Sequence, residues 1–311
     1  MSIKTVVICG PTASGKTALA VSLAKYADGE IVSADSMQIY KGMDIGTAKV
    51  THDEMQGVPH HMIDIVSPAE NYSTGRYVSE AAEIMADIHG RGKIPFVAGG
   101  TGMYIDNLIG GTRFGAPAAD KNIRKRLMGI FDEKGGEQML AELARFDEST
   151  ANRLHPNDKK RIVRAFEVYE MTGKPISVWD SESKLVESPY EAVYIGLKTE
   201  DRAVLYDRIN KRVDMMFDKG LVGEVERLLG DGVPSDCTAM QAIGYKEIVS
   251  ALSGECSLDE AREAIKQNSR RYAKRQLTWF RRNKKINWFD TDKTDIEEIY
   301  NICQKLAGFA K

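Results

Sequence analysis

Residues 4–9, "KTVVIC", form a short β-branched run without polar alternation, as a parallel strand buried on both faces requires. "GKTALAVSLAKYA" then has helical spacing, and "EIVSA" reads as a second strand. "STGRYVSEAAEIMADIHGRGK" is an amphipathic helix, and "IPFVAGGTGMYI" a strand running into a glycine turn. Strands alternating with helices predict an α/β fold, a parallel sheet covered on both faces. From Ala116 the texture changes. "DKNIRKRLMGIF", "GEQMLAELARF" and "NDKKRIVRAFEVYEMTG" have helical spacing with no strand between them. "KPISVWDSESKLVESPYE" turns polar and loop-like before "AVYIGL" returns to strand character. The pattern predicts an all-helical insertion, residues 116–187, set into a core domain of residues 1–115 and 188–311. The remainder reads as mostly helical, ending in a long helix through "SLDEAREAIKQNSRRYAKRQLTWFRRN".

The first strand and helix are joined by "GPTASGKT": Gly10, Pro11, Thr12, Ala13, Ser14, Gly15, Lys16 and Thr17. This fits G-x-x-x-x-G-K-[ST], and each fixed position has a mechanical reason. The glycines let backbone N–H groups approach an anion, Lys16 brings a mobile charge, and Thr17 offers a hydroxyl to Mg²⁺. The following helix N-terminus favours phosphate as well. Strand, loop and helix in this order predict a P-loop NTPase-like sheet. The motif specifies phosphate binding, not ATP hydrolysis.

Composition narrows the setting. The chain has 311 residues, 42% apolar and 28% charged, enough for one or two soluble domains. No apolar run approaches the length of a membrane span, so no membrane partner is expected. Cys9, Cys237, Cys256 and Cys303 have no C-x-x-C spacing and read as buried, reduced thiols of a cytoplasmic protein. The five histidines form no recognisable metal site. Monomer is the default state. Net charge is −2, but residues 266–285 hold nine Lys or Arg and no acid. Such asymmetry suggests a local nucleic-acid surface. Arg270, Lys274 and Arg281 share one helical stripe, and Arg271, Arg275 and Arg282 the next. Tyr272, Gln276 and Trp279 are spaced to face together, with Trp279 and Phe280 assigned to the core.

A P-loop ATPase usually carries a second carboxylate after another apolar strand. Here the candidate strand ends in Gly99, Gly100 and Thr101, while "EIVSAD" ends at Asp35. In open α/β folds the carboxyl ends of the strands face the ligand. Either residue alone could be a cap. Together over a P-loop, Asp35 and Thr101 read as a catalytic pair.

These residues carry a resemblance. "GPTASGKTALAVSLA", "SADSMQIYKGMDIGTAK", "VPHHMIDIVSP", "PFVAGGTGMYI", "HPNDKKRIVRAFEVYEMTGKP", "DRINKRVDMMFDKGLVGEV", "QAIGYKE" and "AKRQLTWFRR" resemble the tRNA dimethylallyltransferases, in order along nearly the whole chain. The resemblance implies transfer of an isopentenyl group from dimethylallyl diphosphate to the exocyclic amine of adenine 37, beside the tRNA anticodon. The diphosphate is then a leaving group and no water needs activating. By the same resemblance the N–H groups of Thr12 to Thr17, Lys16, Mg²⁺ and Arg212 stabilise its charge. Asp35 would be the general base and Thr101 would orient it. Asp35, Ser36, Met37 and Gln38 would touch the flipped-out target base. Lys160, Arg161, Ile162, Val163 and Arg164 would contact the anticodon stem-loop. So would Gln241, Ala242, Ile243, Gly244, Tyr245 and Lys246. Competing readings are a P-loop small-molecule kinase using ATP, an isopentenyltransferase of free adenosine nucleotides, and a non-enzymatic RNA-binding protein. The helical insertion and the basic helix favour tRNA.

Overall fold

The computed structural model describes residues 2–183 and 187–308. Its strands are β1 (Ile3–Cys9), β2 (Gly29–Ser33), β3 (His60–His61), β4 (Ile94–Gly99), β5 (Tyr190–Lys198) and β6 (Ile286–Asp290). They form one sheet in the order β3-β2-β4-β1-β5-β6, every pair parallel. The first half adds α1 (Lys16–Tyr26), α2 (His52–Met55), α3 (Thr74–Gly90) and α4 (Gly102–Ile109). The middle consists of α5 (Lys121–Lys134), α6 (Gly136–Leu143), α7 (Glu148–Arg153), α8 (Lys159–Thr172) and α9 (Ile176–Ser183). After β5 come α10 (Arg202–Asp218), α11 (Leu221–Gly230), α12 (Tyr245–Leu252), α13 (Leu258–Phe280) and α14 (Ile296–Leu306).

The uniform apolarity of β1 has a direct cause, because its alternate side chains feed two cores. Val7 and Cys9 join Val32 and Val97 beneath Tyr77, Met85 and Ile88 of α3 and Leu108 of α4. Val6 and Ile8 join Ile31 and Phe96 against Leu19 and Leu23 of α1 and Ile299 and Cys303 of α14. A third core packs the loop after β2, through Ile39, Tyr40 and Met43, on α11, α12 and α13. The loops after β2, β4 and β1 leave three neighbouring strands at the same end of the sheet, which sets the site.

Two compact units emerge, residues 111–188 and the remainder. The first division falls at Gly110–Gly111, ahead of the change of texture at Ala116, because α4 still packs on α3. The middle unit has its own core around Leu143, Ala151 and Ala165, with Phe146 stacked on Tyr169 at 3.9 Å.

Several expectations need correction. The C-terminal part is not only helical: β6 adds a sixth strand beside β5, and α14 covers the sheet. The polar stretch read as a loop contains α9; its residues 184–186 lie outside the described residues. Cys9 and Cys303 are buried, but Cys237 and Cys256 are partly exposed at loop edges. Among the described residues no helix is long and apolar enough to cross a membrane.

Candidate active site

The P-loop leaves β1 through Gly10, at φ 145°, where a Cβ would run into the Leu197 carbonyl of the neighbouring strand. Ala13 (φ 62°) and Gly15 (φ 85°) are left-handed, the backbone habit of an anion nest. Ser14 Oγ and Lys16 Nζ both donate to the Pro11 carbonyl, at 2.8 and 2.5 Å. The N–H groups of Ala13 to Thr17 have no protein acceptor among the described residues, and α1 has no side-chain cap. Thr12 differs: its N–H donates to Gln276 Oε1 at 2.9 Å and is not available to an anion. Among the described residues, the amides of this loop without a protein acceptor therefore begin at Ala13, not at Thr12. Thr17 is exposed on the first turn of α1.

Positive charge converges on this loop. Arg212 of α10 reaches Thr12 Oγ1 from Nη1 at 3.5 Å. Burial and the adjacent Arg212 push the Lys16 ammonium down to about 8, against the opposing pull of Asp35 and Cys9. Arg212 is lowered too, by burial, with Asp35 and Glu54 opposing. Two close, half-buried cations with little compensating charge make a site that favours an anion.

Asp35 and Thr101 meet over the next two strand ends. Asp35 Oδ1 accepts the N–H of Met37 at 2.9 Å and of Gln38 at 3.4 Å; Oδ2 has no partner among the described residues. Thr101 stands at the N-cap of α4, yet its side chain does not cap the helix. Its Oγ1 instead accepts the Ser36 N–H at 3.0 Å and lies 3.3 Å from Ser36 Oγ. Tyr77, Tyr104 and Tyr272 surround Asp35 closely enough for its charge to raise each phenol, though burial is the larger cause at all three. The site thus joins an anion cradle, two cations and a half-free carboxylate.

A sequence pattern described as IPP transferase matches residues 38–283, and one described as isopentenyl transferase matches residues 3–67. A tRNA dimethylallyltransferase of Thermoanaerobacter pseudethanolicus is 50% identical over 311 residues, covering 99% of each chain. The full-length tRNA isopentenylpyrophosphate transferase of Bacillus halodurans superposes with a TM-score of 0.72 at 44% identity, over 98% of this chain and 97% of that one. A eukaryotic dimethylallyltransferase acting on tRNA superposes at 0.78 with 31% identity, over 96% and 75%. The chain belongs to the tRNA dimethylallyltransferase family. It is a transferase with the P-loop-like fold of those neighbours.

For a tRNA dimethylallyltransferase the remaining residues expected to touch RNA divide sharply by burial. Ser36 and Met37 are half-buried beside Asp35, but the Gln38 amide is occupied, donating to the carbonyls of Thr47 and Ala48 at 3.3 Å. In the middle unit Lys160 and Arg161 are exposed on α8. They border a cavity of about 680 Å³ with Arg124, Arg153 and Arg164. Ile162 and Val163, expected at the same contact, are core residues at 0% and 1% exposure. Arg164 is tied at 2.7 Å to the buried Glu167, which also takes Arg124. Around residues 241–246, Gln241 is exposed, Ile243 half-buried, and Lys246 lies near Glu247 at 3.7 Å. Ala242, Gly244 and Tyr245 are buried. Tyr245 works inside the core, where its hydroxyl donates to Glu224 at 2.6 Å. That carboxylate collects the N–H groups of Asp44, Ile45 and Gly46 and so anchors the loop beyond Gln38. Lys274 on α13 and Arg281 at its C-cap are exposed, but Arg270 turns toward α10 and donates to Asn210 at 2.6 Å. Trp279 packs inward, donating to Asp106 at 2.8 Å, and Phe280 is buried. Glu224 gave no signal in the sequence, because its neighbours lie in a distant loop. Gln276 gave one, its shared face with Tyr272 and Trp279.

Proposed function

We propose that this chain transfers the dimethylallyl group of dimethylallyl diphosphate to the exocyclic N6 of adenine 37 of a tRNA. The observation that carries the reading is the half-free carboxylate of Asp35 beside an anion cradle. Full-length similarity to enzymes named for this transfer supports it. The diphosphate lies on the amides of Ala13 to Thr17, with Lys16 and Arg212 on its oxygens. As the allylic C–O bond breaks, the diphosphate leaves with the electron pair, and these donors stabilise the growing charge. The N6 lone pair forms the new C–N bond, and its proton passes to Asp35 as attack proceeds, because an aromatic amine is a poor acid. Thr101 and Ser36, bonded to each other, hold the turn that carries Asp35.

Thr17 fits a share in holding Mg²⁺: its hydroxyl is exposed beside the anion-facing amides, and Mg²⁺ accepts one protein oxygen when phosphate and water complete its shell. Bound there with the diphosphate, it would neutralise charge on the leaving group. The target base is flipped out to reach Asp35. Lys160 and Arg161, Gln241 and Lys246, and the exposed cations of α13 grip the anticodon stem-loop. The test offers labelled dimethylallyl diphosphate, and separately labelled ATP, with tRNA or AMP as acceptor. Label from dimethylallyl diphosphate in tRNA alone is expected. Label in AMP, or phosphate transferred from ATP, would replace this reading with a free-nucleotide transferase or a kinase.

A further inference from the structure

The P-loop and the turn after β4 are separate pieces of backbone, and one side chain joins them. Gln276, on the inner face of α13 and 6% exposed, uses both ends of its amide. Oε1 accepts the Thr12 N–H at 2.9 Å, and Nε2 donates to the Gly100 carbonyl at 3.0 Å. Gly100 must be glycine for this approach, since a Cβ there would overlap Gln276 Nε2. Each end of the bridge touches the reaction machinery. Thr12 is the residue Arg212 reaches, and Gly100 precedes Thr101, which holds Ser36 beside Asp35. The outer side of the same helix carries the exposed Arg271, Lys274 and Arg275.

We infer that Gln276 is a positioning residue that sets the P-loop and the Thr101 turn in register and transmits to both the seating of α13, so that RNA held on the outer side of the helix tightens the diphosphate site on its inner side. This rests on the proposed reading of α13 as a tRNA-gripping helix. A buried amide bonded at both ends has no slack, so a shift of α13 moves both loops or breaks a bond. Coupling of this kind is reciprocal: RNA strengthens diphosphate binding by the factor by which diphosphate strengthens RNA binding.

The test uses the full chain and Gln276→Met, which keeps the length and loses both hydrogen bonds. Inorganic diphosphate with Mg²⁺ is titrated calorimetrically, with and without an anticodon stem-loop RNA, and steady-state transfer is measured alongside. In the variant, diphosphate Kd should rise about tenfold and kcat fall by a similar factor. The affinity for stem-loop RNA without diphosphate should hold, the enhancement of diphosphate binding by stem-loop seen in the wild type should vanish, and KM for tRNA should rise by that same lost factor. Gly100→Ala, which displaces the Gln276 amide while leaving the sequence of α13 unchanged, should reproduce the pattern. A folded Gln276→Met protein with wild-type diphosphate affinity overturns the positioning role. A wild type whose diphosphate affinity ignores the stem-loop overturns the coupling. Should a variant not fold, amide exchange in the wild type decides: Thr12 should be protected relative to Ala13, and equal rates overturn the bridge. If the wild type modifies no tRNA, the proposed function falls, while diphosphate affinity and amide exchange still judge Gln276.

Discussion

One carboxylate opens β2 and another follows its far end, and the two differ in how their oxygens are occupied, though both lie near cations. Glu30, at the start of β2, is 3% exposed and closed in by cations. Arg91 donates to it at 2.8 Å, His61 Nε2 lies at 2.8 Å and Lys93 at 3.5 Å. The Arg91 hydrogen bond holds its acid form down to about 2, with His61 assisting against burial. Asp35, just beyond the other end of β2, has two backbone N–H groups on one oxygen and, among the described residues, nothing on the second. A carboxylate surrounded by fixed cations stores stability and cannot take a proton near neutrality. A carboxylate left with a free oxygen has that oxygen open to a reacting group. The parallel sheet explains the location, since its carboxyl ends open into loops while its amino ends are closed by returning helices.

The comparison can be broken at either end. The largest effect belongs to Asp35→Ala: transfer should fall ~10²–10⁴-fold, as for loss of a general base, with the melting temperature held. Single-turnover rates at saturating substrates measure it, and a rate within about threefold of wild type would remove Asp35 from the chemistry. Lys16→Ala should lose ~10²–10³-fold in kcat/KM for the diphosphate ester, because the charge it meets grows in the transition state. In the wild type, Lys16 titrates near 8 before substrate binds, so kcat/KM should decline as pH rises through that value. The decline should be absent from Lys16→Ala.

Glu30→Gln sharpens the contrast from the other end: kcat should be unchanged while stability falls by about 2 kcal/mol at pH 7, read from denaturant unfolding. The sign follows from the lowered folded value. Glu30 contributes fully above its unfolded value of 4.5, and the contribution is lost as pH falls toward 2. Wild type and Glu30→Gln should therefore converge in melting temperature over that window. The smallest effect concerns α13. Replacing the exposed Lys274, Arg275 and Arg281 with Gln should weaken all tRNAs alike and flatten the salt dependence by about one unit of slope for each phosphate no longer neutralised. Discrimination against a stem-loop lacking the target adenine should survive. An unchanged slope would place these charges in solvent alone.

Local patterns made much of this legible from the sequence. The P-loop was readable because its glycines, lysine and hydroxyl sit in consecutive positions between a buried strand and a helix. Asp35 and Thr101 were readable because each ends an apolar run, and a parallel sheet brings such ends together. Helices α5, α6 and α8 were readable from period alone, whereas α9, in a polar stretch, was not. Burial was not, because it depends on what packs against a residue from elsewhere in the chain. "KRIVR" presents Lys160 and Arg161 outward but sinks Ile162 and Val163 into a core. "QAIGYK" keeps Tyr245 for Glu224, far away in sequence. The five residues of β6 are too short and irregular to declare a strand, and only the free edge of β5 makes them one. Gln276 shows the division most clearly. Helical spacing set its direction, shared with Tyr272 and Trp279, but only the folded chain put the P-loop on one side of its amide and Gly100 on the other.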